Sequence, residues 1–100
     1  MKHKGIKYEF TAQPWKYQGA AAWHFISLPA EQAAEIREIL QSEEEGWGRL
    51  KATAKVGVTE WATAIWFDTK LKTYLLPLKA EIRKLEQIEI GKLTSVTIWV

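Results

Sequence analysis

Four separate runs in this chain place mostly apolar residues at every second position, and that pattern restricts the fold more than any other feature. Ile6, Tyr8, Phe10 and Ala12 alternate with Lys7, Glu9 and Thr11. Leu50, Ala52, Ala54 and Val56 alternate with Lys51, Thr53 and Lys55. Trp61, Thr63, Ile65 and Phe67 form a third set, and Val96, Ile98 and Val100 a fourth. Side chains two apart share one face of an extended chain, so each run predicts a strand with one face turned to a core. The segment from Ala21 to Leu28 is apolar on both faces, with Trp23 and Phe25 on one and Ile26 and Leu28 on the other. It is expected to be a strand covered on both sides.

The stretch Trp61 to Leu85 condenses the architecture. A strand is followed by a polar turn, Asp68 to Lys72, and by a further strand, Thr73 to Leu78. Pro77 lacks the amide a ladder needs and ends that strand, and a short helix is expected from Lys79 to Ile88 with Ile82, Leu85 and Ile88 inward. A first helix is expected after Pro29, from Ala30 to about Glu44, with Ala33, Ile36, Ile39 and Leu40 as its apolar stripe. Glu43, Glu44 and Glu45 oppose the helix dipole there and read as a solvated loop. Six strands and two helices on short connections predict a mainly β (α+β) fold, a closed or nearly closed barrel. An open sheet with both helices on one face is the second option.

At 100 residues the chain has room for one domain, residues 1–100, and for a core that needs no staples. It has no cysteine, which excludes disulfides, thiol chemistry and Cys-ligated zinc. No apolar run is long enough for a membrane span, and the charged start MKHKGIKYEF is unlike a signal peptide, so a cytoplasmic protein is expected. A net charge of +2 is too near balance to imply nucleic acid or an anionic membrane as partner by itself, and neither is expected. Six Trp in such a chain serve first to fill a small barrel and second as a binding surface.

Several motifs, taken together, resemble a known family. They are Phe10-Thr11-Ala12, Trp23-His24-Phe25-Ile26-Ser27-Leu28-Pro29, Gly46-Trp47-Gly48, Thr53, Trp61-Ala62-Thr63, Tyr74-Leu75-Leu76-Pro77-Leu78-Lys79 and Arg83. Their order and spacing are similar to those of the small prokaryotic domain catalogued as domain of unknown function nineteen hundred and five, which occurs alone or fused to YdeI/OmpD-associated-type segments. The resemblance implies a small β-barrel and supplies no activity, catalytic residue or ligand. One position departs from the pattern: Lys92 stands where an acidic residue is usual after the last glycine.

The chain carries little that suggests catalysis. His3 is in the N-terminal tail and His24 sits alone on a strand, without the spacing of a metal site. There is no nucleophile elbow, P-loop or dinucleotide fingerprint. The reading is therefore of a non-enzymatic domain without a cofactor. Lys79 and Arg83, four apart at the opening of the second helix, are the best site candidates, because two cations there oppose both each other and the dipole. A small anionic ligand would relieve both terms. Trp61, Thr63 and Tyr74 are expected beside them, with Lys51 and Trp47 as weaker additions. The alternative is a protein-interaction or homodimerisation module using exposed Trp. Weak nucleic-acid binding through Lys51, Lys55, Lys70, Lys72, Lys79 and Arg83 ranks last.

Overall fold

The computed structural model describes residues 5–19 and 22–100. Seven strands are present among these residues: β1 (Lys7–Ala12), β2 (Trp15–Lys16), β3 (His24–Ser27), β4 (Arg49–Val56), β5 (Thr59–Asp68), β6 (Thr73–Pro77) and β7 (Thr94–Trp99). Helix α1 (Ala30–Leu40) lies between β3 and β4, and α2 (Ala80–Leu85) between β6 and β7. All strands join one antiparallel sheet in the order β1-β7-β4-β5-β6-β3-β2. The fold is mainly β with two short helices, as the periodicity predicts.

The barrel expectation needs correcting on two points. The sheet is a strongly curled half-barrel that stays open, and the described residues form seven strands where about six are expected. Both differences come from Gln13 and Pro14. The edge strands β1 and β2 are consecutive in the chain, so one extended segment turns a corner there and pairs with β7 before it and with β3 after it. Pro14 has no N–H to extend either ladder. Its carbonyl instead accepts the Gly91 N–H at 3.0 Å, fastening the corner to the loop before β7. The two hydrogen-bonded edges are thus tethered by chain rather than zipped together.

Register places the core. Tyr8 lies opposite Ile98, Ile98 opposite Ala54, and Ala54 opposite Trp61, all on the inner face. Leu50 faces Ile65, Phe67 faces Tyr74, and Leu76 faces Ile26 in the same layer. Ile26, Ile65, Tyr74, Leu76 and Ile98 are fully buried, and α1 adds Ala33 and Ile36 to the same cluster. Ile39 and Leu85, expected to face inward, are instead exposed. Ile39 lies at the margin of the α1 face that Ala33, Ile36 and Leu40 turn to the core, and Leu85 is the last residue of α2, which stops short of Ile88. Gln87, at φ +53, bends the chain away from α2, and Ile88 reaches the core from beyond the helix.

The turns follow local chemistry. Val56 pairs with Thr59 across a two-residue hairpin whose first residue, Gly57, has φ +59, in the left-handed region glycine enters without strain. Between β5 and β6 the Asp68 carboxylate accepts the N–H groups of Lys70 and Leu71 at 2.9 and 2.8 Å. Before β7 the Lys92 amide donates to the Glu89 carbonyl and its ammonium pairs with the Glu89 carboxylate. That closes the turn without the acidic residue usual at position 92. Two readings touch residues outside the description: His3, and the start of the expected second strand at Ala21.

Candidate functional site

Of the five residues expected to form one site, the structure brings Thr63 and Lys79 to a common groove on the sheet and separates the others from it. Trp61 and Tyr74 point to the inner face, as neighbours in register of Ala54 and Phe67, and Thr63, opposite Ala52, is half-buried. Tyr74 is fully buried, and Trp61 packs against the core with its Nε1 buried and unpartnered among the described residues. Arg83 turns back along the chain, and its Nε donates to the Leu78 carbonyl at 3.1 Å. Lys79 precedes α2 rather than belonging to it, and opens onto the other face of the sheet. Trp47 stands in a short 3-10 turn, Gly46–Gly48, and its side chain is outside the described part of the structure.

Tyr74 belongs instead to a buried polar knot. Its hydroxyl donates to the Glu44 carboxylate, whose side chain is only 9% exposed. Arg37 of α1 pairs with the same carboxylate at 3.5 Å while its guanidinium lies 3.8 Å from the centre of the Phe67 ring. Burial first, and the Glu44 hydrogen bond and charge next, push the Tyr74 pKa well above that of an ordinary tyrosine. Burial and then Glu35 do the same for Tyr8. Glu44 is therefore no solvated loop residue: it ties the segment after α1 to Tyr74 of β6 and to Arg37 of α1. Glu45, next to it, pairs with Arg49.

The face with the character of a site is the outer one. Period two assigns to it Arg49, Lys51 and Thr53 of β4, Ala62, Ala64 and Trp66 of β5, Leu75 and Pro77 of β6, and Phe25 of β3. Trp99 lies opposite Thr53, and Thr53 opposite Ala62. The small side chains of Ala62 and Ala64 thus form a floor between large ones. The result is a trough of about 700 Å³, walled by Trp23, Trp66 and Trp99, with Arg49, Lys51 and Lys79 on its rim. No acidic side chain lines it among the described residues. Arg49 reaches over Trp66, with 5.9 Å from guanidinium to ring centre, and is neutralised by Glu45. Lys51 and Lys79 are exposed and make no ion pair among the described residues.

The other basic residues lie elsewhere. Lys55 faces a groove shared with Glu9, and Lys70 sits beside Asp68 in a separate cleft. The strand His24 is half-buried, with Nδ1 3.2 Å from the Ala22 carbonyl. Among the described residues no three of His, Cys, Asp and Glu come together as a metal site. No helix of the described residues is long and apolar enough to cross a membrane.

Sequence reasoning nominated Lys79 and Lys51 but not Trp66 and Trp99. The signal was available: if Trp61, Thr63, Ile65 and Phe67 face inward, then Ala62, Ala64 and Trp66 face outward. The apolar character of both faces of β3 was also legible, but its outer-face residue Phe25 lines an open cleft rather than a covered layer. A family model described as Domain of unknown function (DUF1905) matches residues 10–98. No curated protein matches the chain.

Proposed function

The chain belongs to the Domain of unknown function (DUF1905) family, and from that premise we propose that it is a non-enzymatic binding module for a small organic anion. The ligand enters the outer-face trough beside the start of α2. One observation carries this reading: an aromatic-walled trough whose rim holds Lys51 and Lys79, neither in an ion pair among the described residues, beside an Arg49 that Glu45 neutralises. Indole faces give contact area and orientation, and unpaired ammonium groups select negative charge. The earlier expectation of an anion near Lys79 is kept. Its second cation changes from Arg83 to Lys51, since Arg83 is engaged by the Leu78 carbonyl.

The test is calorimetry and thermal shift with inorganic phosphate, carboxylates and nucleotides at low and high salt. A true ligand at a hundredfold excess over its Kd stabilises by about 2.7 kcal/mol. Reversing Lys51 and Lys79 to glutamate abolishes that gain, while reversing Lys55, on another groove, leaves it. If no anion in the panel shifts the midpoint, the proposal fails. A second reading, a homodimer or protein contact, draws on Trp23, Tyr17 and Leu71, each about half exposed. Light scattering that finds a monomer up to millimolar concentration removes the homodimer.

A further inference from the structure

The trough does not end at its aromatic wall. Trp23 and Trp66 also line a second cleft of about 670 Å³, whose other walls include Trp15, Phe25, Leu71 and Leu75. The two spaces share these rings, so a molecule in one touches the same indoles as a molecule in the other. They differ in chemistry. The first has its cations at the rim, whereas the second is lined mainly by rings and aliphatic side chains, and its Asp68 carboxylate is already held by two backbone N–H groups.

Strand register orders one wall of the apolar cleft. Arg49, Trp66, Leu75 and Ser27 occupy one row across four strands, fixed by the β4–β5, β5–β6 and β3–β6 registers. Trp15 Nε1 donates to the Ser27 Oγ at 2.9 Å, which holds that indole at the end of the row. Trp23 stacks on Phe25 with ring centres 6.0 Å apart and planes within 5°. Flat walls of fixed orientation favour a flat guest, by offset stacking or edge contact.

Resting on the function proposed above, we infer that the ligand is bipartite: an aromatic ring system lies in the apolar cleft and its anionic substituent lies between Lys51 and Lys79. An aryl phosphate or aryl carboxylate has this form. The charge arrangement selects it over an uncharged aromatic compound, which would leave the cations unused, and over a bare anion, which would leave the indoles exposed.

Isothermal titration of the full chain with 1-naphthyl phosphate, inorganic phosphate and 1-naphthol tests this directly. Naphthyl phosphate binds at least about tenfold more tightly than either fragment, as expected when two subsites act on one molecule. The double variant Tyr17→Glu, Leu71→Glu changes only exposed side chains at the cleft. It weakens naphthyl phosphate about tenfold and leaves inorganic phosphate unchanged. Lys51→Glu with Lys79→Glu weakens both. If naphthyl phosphate binds no better than inorganic phosphate, the bipartite ligand is refuted while the anion trough stands. If none of the three binds, both readings fall. If light scattering finds a dimer that the Tyr17→Glu, Leu71→Glu variant dissociates, the cleft belongs to a second copy of the chain and the inference is overturned.

Discussion

Replacing Tyr74 by phenylalanine keeps the ring and removes only the hydroxyl that donates to Glu44. No cavity of consequence forms, so the effect is that of one hydrogen bond to a charged group. The Glu44 side chain is 9% exposed, and its remaining side-chain partner is Arg37 at 3.5 Å, the outer limit of an effective contact. Hydrogen bonds to charged groups contribute about 1.5–3 kcal/mol, and a carboxylate left short of donors adds cost. Tyr74→Phe should therefore lower stability by about 2 kcal/mol in urea denaturation at pH 7 with an unchanged m-value. In a domain this size that is a fall in Tm of roughly 10 °C. The pH dependence gives an independent check. The folded pKa of Tyr74 is raised, while the unfolded chain titrates near the ordinary value of about 10. The neutral hydroxyl's contribution is complete below about pH 10 and declines as pH rises from there toward the folded pKa. The gap between wild type and Tyr74→Phe should be constant from pH 7 to 9 and narrow above pH 10. Anion affinity should be unaffected, since Tyr74 is on the inner face. A stability loss under about 0.5 kcal/mol, or a gap indifferent to alkaline pH, refutes the argument that this knot fastens α1 to the sheet.

Other outcomes are equally specific. Leu76 is fully buried on the inner face opposite Ile26, so Leu76→Ala should cost about 2–5 kcal/mol by chemical denaturation, and a neutral result would contradict the β6 register. Gly57→Ala places a Cβ at φ +59 and 2.0 Å from the Glu86 carboxylate, which accepts the Thr59 hydroxyl. Left-handed strain and the displaced Glu86 should together cost about 1–2 kcal/mol, measured by thermal unfolding. Lys51→Glu and Lys79→Glu, both exposed, should each leave stability within about 0.5 kcal/mol while removing anion binding in calorimetry.

Alternation alone assigned the inner residues of β1, β4, β5 and β7, because period two leaves a strand only two faces and one of them was apolar. The helix after Pro29, the helix after Pro77 and the inward Leu76 were legible for similarly local reasons. What lay beyond the sequence was where each face would end up. Trp61 and Tyr74 looked like site residues until the register put them with Ala54 and Phe67 against the core. Trp23, Trp66 and Trp99 looked like filling until the strand order brought them around the alanine floor. Glu44 looked solvated, yet a residue 30 positions away supplies its hydroxyl partner. The open edge was equally hidden: whether a curled sheet closes depends on hydrogen bonds between its first and last strands, and here those are the two arms of one segment bent at Pro14. Local chemistry decides which residues share a face and where the chain turns. Contacts between residues far apart in the chain decide which face is covered, and only in the folded protein do Lys51 and Lys79 line one trough.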